Sequence, residues 1–356
     1  MLSIGDLRER LSEIRLLGTK QNIVEAGFVQ RIDWDGSRVE VDVVLPPVSA
    51  QARQVLEQDI RRTLGAFAEV RDVQVRIGGG DRVKGQGSEF ILSGVRHVIA
   101  VASAKGGVGK STVAANLALA LSSEGLRVGL LDADVYGPSL PLLFGTRGPV
   151  TVTSTQRLAP VEKFGLQLMS VGFFVEEEAP VIWRGPVVMS LVRQFLRDVE
   201  WHDLDFLVVD LPPGTGDAPL SLLQLIPIAG ALMVTTPQSV AVSDVERGIA
   251  MFQRVQAPVL GIVENMALYE CPHCHTTEEL FGSEGGQRLE RQFGIPVIAR
   301  IPLDPQLRAA SDSGEPLPVQ TPGHPLVTAF RTLAQRFLER LAASDVTGVP
   351  IPTIIN

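Results

Sequence analysis

Cysteine is nearly missing from this chain: its 356 residues include two, Cys271 and Cys274. Two thiols cannot form the framework of bridges that staples small secreted domains, so that class is excluded. Basic residues are in deficit too. Lys plus Arg number 32 against 40 Asp plus Glu, a net charge of −8, and no basic run occurs anywhere. Nucleic-acid binders carry a basic excess or a dense basic stripe, so neither DNA nor RNA is expected as a partner. Nor does any stretch approach the roughly 18 uninterrupted apolar residues of a membrane span. The opening segment has no continuous apolar core like a secretory signal, and it holds Asp6, Glu9 and Glu13, whereas transit peptides are poor in acids. The expectation is a cytoplasmic protein without a membrane partner.

What is present is the balance of a globular protein, 45% apolar and 20% charged, in a chain long enough to bury a core without staples. Residues 1–77 read as a small α+β domain. Leu7, Leu11, Ile14 and Leu17 recur at helical spacing. Strands Ala26–Trp34 and Arg38–Leu45 flank the hairpin signal Asp35-Gly36, and Pro46-Pro47 ends the second. A helix over Ala50–Leu64 and a strand over Val70–Ile77 complete an α-β-β-α-β order. Residues 78–93, opening with Gly78-Gly79-Gly80, lack periodicity and read as a linker. From there to residue 345 near-continuous apolar runs at 95–102, 127–132, 204–211, 230–236, 259–264 and 295–301 alternate with helical segments such as 110–123, 186–199 and 239–255. That pattern predicts a mostly parallel, doubly wound sheet with helices on both faces. Residues 346–356 form a tail.

The run Val98–Ala102 leads into Ser103-Ala104-Lys105-Gly106-Gly107-Val108-Gly109-Lys110-Ser111-Thr112, and a helix follows. Strand, glycine-rich loop, Lys-Ser and helix in that order define a phosphate-binding loop. The glycines let backbone N–H groups turn inward towards ATP phosphates, and the helix N-terminus adds positive potential. Ala104 through Thr112 are the expected nucleotide contacts, with Lys110 on the β- and γ-phosphates and the Ser111 hydroxyl on Mg²⁺. Ala104 departs from the strict pattern, which has glycine there. Lys105, a second lysine at the start of the loop, resembles the deviant Walker A ATPases: MinD, ParA, ArsA and the nitrogenase iron protein. That resemblance implies that Lys105 crosses to the nucleotide of a partner subunit, hence a homodimer with facing ATP sites.

Leu130-Leu131-Asp132-Ala133-Asp134 ends the next strand at the sheet edge where ligands bind. Asp132 is expected near Mg²⁺. In the deviant Walker group the second acid of such a segment orients the attacking water, which assigns Asp134. Phe206–Asp210 has the Walker B form, an apolar strand ending in the acid that holds Mg²⁺. The glycines of Leu211-Pro-Pro-Gly214-Thr-Gly216-Asp217 suit a backbone that responds to the γ-phosphate. By resemblance, Asn265 binds the adenine ring and Pro302 packs against the base.

Cys271-Pro272-His273-Cys274-His275 follows in a polar, turn-rich stretch. C-x-x-C-H also attaches c-type haem, C-x-x-C serves redox exchange, and a zinc ion wants four ligands. An iron–sulfur cluster likewise wants four thiolates, and a twofold dimer of this chain supplies them.

Together Lys105–Thr112, Asp132-Ala-Asp-Val-Tyr-Gly-Pro-Ser139, Trp183-Arg-Gly-Pro186, Asp210–Asp217, Val234-Thr-Thr-Pro-Gln238 and Glu264-Asn-Met266 with Cys271-Pro-His-Cys274 closely resemble the Mrp/ApbC iron–sulfur carrier ATPases. The resemblance runs from about Val95 to Leu341. It implies ATP hydrolysis, a [4Fe–4S] cluster held by Cys271 and Cys274 across a homodimer, and delivery to apo iron–sulfur proteins alongside cluster-assembly scaffolds. Residues 1–77 resemble the MIP18-type domain, but Pro46-Pro47-Val48-Ser49 lacks the cysteine common there, so partner docking suits that domain better than cluster ligation. Two other functions share these motifs: a MinD/ParA-type positioning ATPase, or a nucleotide switch with a dimer-bridging zinc. The stripe Leu326, Phe330, Leu333, Phe337 and Leu341 of the last helix reads as a core face, not a membrane-binding one.

Overall fold

The computed structural model describes residues 4–14, 22–24, 28–44, 50–78, 92, 94–146, 150–174 and 185–344. The expectations at Leu17, Ala26, Pro46-Pro47, Trp183-Arg184, the tail and nearly all of the linker fall outside them. The chain divides into two units, Met1–Gly87 and Ser88–Asn356.

In the first unit α1 (Ile4–Leu11), β1 (Val29–Trp34), β2 (Arg38–Val44), α2 (Ala50–Leu64) and β3 (Asp72–Gly78) appear in that order. β1 and β2 pair antiparallel around Gly36, whose φ of 97° suits the turn, and β3 lies parallel to β2. Val39, Val41 and Val43 alternate onto one face of β2, as period two requires. Leu56, Ile60 and Leu64 line one face of α2, and both sets are buried with Leu7, Leu11 and Ile23. Each such side chain contributes roughly 1.5–3 kcal/mol by leaving water. The first helix stops at Leu11, earlier than its apolar spacing predicts, and Ile14 joins the core from outside it.

The second unit begins with β4 (Val95–Ala102), α3 (Lys110–Ser123), β5 (Val128–Asp132), α4 (Leu140–Leu143), β6 (Val161–Lys163), β7 (Leu166–Ser170), α5 (Gly185–Asp198) and β8 (Leu204–Asp210). It continues with α6 (Asp217–Leu225), β9 (Ile228–Thr235), α7 (Ser239–Arg254), β10 (Val259–Asn265), β11 (Tyr269–Glu270) and β12 (Thr277–Glu278). The last elements are α8 (Gly285–Phe293), β13 (Val297–Ile301), α9 (Pro305–Ser313), α10 (Leu317–Gln320) and α11 (Pro325–Ala343). Among the described residues the large sheet has the order β13-β10-β9-β4-β8-β5-β7-β6. All its pairings are parallel except β6 with β7. The six predicted apolar runs are β4, β5, β8, β9, β10 and β13. The hairpin β6–β7 has no long apolar run and was not predicted.

β4 is central. From it the chain passes through α3 to β5 on one side, and later from β8 through α6 to β9 on the other. Connections that diverge around β4 leave a crevice at its carboxyl end, where ligands bind in such sheets. α3 is Ala- and Leu-rich and buried on nearly every side, between the sheet and α11. The α11 stripe Leu326, Phe330, Leu333, Phe337 and Leu341 is buried against α3, β10 and β13, so it is a core face. Among the described residues no helix is long and apolar enough to cross a membrane.

Candidate functional site

The phosphate loop leaves the buried end of β4 and closes at the first turn of α3. Gly107 and Gly109 have φ of 81° and 83°, the left-handed region that glycine alone enters without cost. Gly109 is doubly constrained, because a Cβ there would lie 2.2 Å from Nδ2 of Asn265. Ala104 is not among the positive-φ residues, so the departure from glycine imposes no backbone strain. The Ser103 hydroxyl donates to the Lys105 carbonyl at 2.9 Å, bracing the entry of the loop. Lys105 itself is exposed, and no ion pair among the described residues involves it.

Lys110 is buried and its Nζ donates to Asp210 Oδ1 at 2.5 Å and to the Ser111 hydroxyl at 3.3 Å. The ends of β4, β5 and β8 thus bring Lys110, Ser111, Asp132, Asp134 and Asp210 together. Asp132 is fully buried. Its Oδ1 accepts the Asp134 N–H at 3.0 Å, and its Oδ2 accepts the Ser139 N–H, the Leu140 N–H and the Ser170 hydroxyl. Burial, then the Asp210 charge, push its carboxyl up to about 7. Burial also raises Asp134, with Lys110 opposing.

Asp210 pairs with Lys110, and Asp132 and Asp134 lie within electrostatic reach of both, an excess of negative charge. Asp210 Oδ2 is buried with no hydrogen-bond partner. A buried carboxylate oxygen without a donor is costly unless a cation or its water fills the position, so the residues present fit Mg²⁺. The switch segment is tied to the same place: the Gly214 N–H donates to the Ser103 carbonyl at 2.9 Å and the Leu211 N–H to the Val101 carbonyl at 3.0 Å.

Asn265, at the end of β10, is buried and donates from Nδ2 to the Val108 carbonyl of the loop at 2.9 Å. In this conformation its amide braces the loop. Pro302 follows β13, between Ile301, whose carbonyl accepts the Ala267 N–H, and Leu303, whose N–H donates to the Leu268 carbonyl.

The cysteines occupy the tip of a two-stranded hairpin, β11–β12, where the sequence pattern is turn-rich. Cys271 N–H donates to the Thr276 carbonyl at 3.0 Å and its carbonyl accepts the His275 N–H at 2.9 Å, a tight knuckle with His275 at φ 58°. Cys271 is half-buried and Cys274 exposed, both as free thiols. The Thr276 side chain, then its backbone, hydrogen-bonds Cys274 and lowers its thiol pKa. His275 Nδ1 pairs with Glu270 at 2.8 Å. Among the described residues no group of three or more His, Cys, Asp or Glu gathers to hold a metal, so one chain offers two thiols and no closed cage.

The residue types missed by sequence reasoning are the supports. Ser139 and Ser170 hold Asp132. Glu264 and Arg300 pair across β10 and β13, at 2.8 Å, in facing register. A lone charge inside each of two apolar strands was the available signal.

Comparison with known proteins bears on both units. The family described as NUBPL iron-transfer P-loop NTPase matches residues 94–338, and the family described as iron-sulfur cluster assembly protein matches residues 5–77. An iron-sulfur cluster carrier protein of Aquifex aeolicus is 50% identical over 257 residues, 72% of this chain and 70% of its own. One from Salmonella typhimurium is 40% identical over 328 residues, 90% of this chain and 88% of its own. The structure of a nucleotide-binding protein from Archaeoglobus fulgidus, in complex with ADP, is 43% identical. It superposes with a TM-score of 0.57 over 64% of this chain and 91% of that one.

Proposed function

The chain belongs to the NUBPL iron-transfer P-loop NTPase family, and from that premise we propose that it is an ATP-hydrolysing carrier of a [4Fe–4S] cluster. Two copies hold the cluster through Cys271 and Cys274 of each and hand it to apo iron–sulfur proteins. The observation that carries this reading is the knuckle with a half-buried Cys271 and an exposed Cys274, on the hairpin that follows the strand whose last residue braces the phosphate loop. Two thiolates per chain are half of what a cluster takes, and a twofold axis supplies the rest.

In the proposed chemistry Lys110 leaves Asp210 for the β- and γ-phosphates. The loop N–H groups and the start of α3 hold the remaining phosphate charge. Asp210 and the Ser111 hydroxyl hold Mg²⁺, with Asp132 behind them fixing the loop that carries Asp134. A magnesium ion held by Asp210 and the Ser111 hydroxyl would supply positive charge against that developing on the phosphates during transfer. Asp134 orients the attacking water, Lys105 reaches the partner's nucleotide, and Asn265 and Pro302 contact the base. Coupling of hydrolysis to cluster loading or release is part of this proposal, as is partner docking by the first unit.

The test is anaerobic reconstitution with iron and sulfide, then iron, sulfide and zinc counting per dimer. About four iron and four sulfide per dimer, absent from Cys271→Ser, support the carrier. Zinc alone favours the nucleotide switch with a dimer-bridging zinc, and equal iron in both proteins removes the thiols from the function.

A further inference from the structure

The last residues of β10 bind in two directions. Asn265 donates to the Val108 carbonyl of the phosphate loop. Glu264, 1% exposed, accepts the Gly286 N–H at 2.7 Å and Arg300 Nε at 2.8 Å. Arg300 reaches on through its NH2 group to Glu279 at 2.9 Å, the residue just after β12. The end of β10 is therefore linked to the cysteine hairpin on both sides. β11 follows it after Met266, Ala267 and Leu268, and Glu279, just after β12, returns to it through Arg300. These are charge-assisted contacts, the stronger kind.

Between the braced loop and the hairpin stands Met266, with φ 54°. That left-handed conformation is disfavoured for any residue with a Cβ. Beyond Met266 the chain is fixed again, the Ala267 N–H on the Ile301 carbonyl at 2.9 Å and the Leu303 N–H on the Leu268 carbonyl at 2.7 Å. A residue held in a costly conformation between two fixed segments needs a reason to be held there. A chain of contacts does not make two sites communicate unless some element has two arrangements. The phosphate loop is the candidate for such an element, because Lys110 is engaged with Asp210 here and bound phosphates would compete for it. Val108 lies within the loop, two residues before Lys110.

We infer that Glu264, Asn265 and Met266 form a joint through which nucleotide occupancy of the phosphate loop sets the position and accessibility of the Cys271–Cys274 knuckle. Rewrapping of the loop around phosphates releases the Asn265 amide. Met266 then leaves its left-handed conformation, and the hairpin, tied back through Arg300, shifts. The inference rests on the loop being the nucleotide site and on the thiols being the working groups of the hairpin. Asn265, Met266 and Arg300 act in it as positioning residues.

The experiment needs no cluster. In metal-free, reduced, full-length protein, the alkylation rate of Cys271 and Cys274 by iodoacetamide is followed by peptide mass spectrometry with and without Mg-ADP. Nucleotide affinity is measured alongside by equilibrium dialysis. In the wild type, saturation with Mg-ADP changes the rate by roughly fivefold or more, the lower end of ordinary site-to-site coupling. Met266→Gly removes the backbone bias and Arg300→Met cuts the return tie. Each still binds ADP, and each compresses the change to less than about twofold. An unchanged rate in wild type with ADP bound overturns the joint and leaves the nucleotide site standing. A full response in both variants overturns it too. Failure to bind ADP at all overturns the joint together with the nucleotide reading. Iron loading, measured separately, bears on the carrier reading alone.

Discussion

Lys110 and Asp210 form an ion pair 2.5 Å long, with side-chain exposures of 6% and 0%. The pair joins the first residue of α3 to the last residue of β8, so the loop that would hold phosphates is locked onto the strand that would hold the metal. Removing one partner strands the other in the interior, next to Asp132.

Lys110→Ala therefore does two things. ATP turnover is abolished, and the protein loses about 3 kcal/mol or more of stability, because breaking a buried pair leaves an uncompensated charge. Urea titration beside an ATPase assay checks both. An unchanged urea midpoint would show that Asp210 finds another partner or a proton at no cost.

Asp132 sets a pH dependence. Burial and Asp210 raise its carboxyl from an ordinary 3.8 to about 7 in the folded chain. A group with a raised folded pKa binds more protons folded than unfolded across that window, so stability falls as pH rises from about 4 to about 7. Asp134, also raised by burial, adds with the same sign. Asp210→Asn removes a cause of the Asp132 shift and shallows the decline. Urea midpoints at several pH values between 4 and 8 decide the matter, and a wild-type midpoint that climbs over this range contradicts it.

Gly109→Ala meets two obstacles at once. Its φ of 83° costs an alanine about 1–2 kcal/mol, and the added Cβ would lie 2.2 Å from Asn265 Nδ2. Nucleotide affinity, measured by calorimetry, drops at least about tenfold, as 1.4 kcal/mol implies. In the Gly109→Ala, Asn265→Ala double variant the clash is gone, leaving the backbone cost and the cost that Asn265→Ala carries alone. The two changes are then non-additive, whereas strict additivity would mean that the close approach does not matter.

Thr276 tunes the exposed thiol. Its side chain, then its backbone, lowers the Cys274 pKa. Thr276→Val removes the first of these and moves the pH profile of Cys274 alkylation upward, so less thiolate is present at neutral pH. The profile is read by mass spectrometry across pH 6 to 10. A profile that stays in place assigns the lowering to backbone groups and the Cys271 side chain.

Much of the molecule was legible from one dimension. The phosphate loop, its flanking strand and helix, the Walker B strand and the C-x-x-C pair are local patterns, and local backbone chemistry dictates them. The order of apolar runs made the parallel sheet readable, because strands buried on both faces must be apolar throughout. Helical spacing, the Asp35-Gly36 hairpin signal and apolar strands did the same for the small unit. Helix ends were less legible, as Ile14 shows: burial keeps it in the core after the helix has stopped.

Tertiary structure alone decided the rest. The sequence separates Lys110 from Asp210, Asn265 from Val108 and Glu264 from Arg300 by tens of residues or more, and sheet order determines which of these ends meet. Whether a buried carboxylate binds metal or backbone depends on the donors around it. Asp132 and Asp210, alike as acids ending apolar strands, are parted on this ground, one satisfied by N–H and hydroxyl groups and the other left with an oxygen to spare. The sequence by itself determined which groups the protein brings to its chemistry. Their partners followed only from packing, because hydrogen bonds and ion pairs are settled by distance in space and not along the chain.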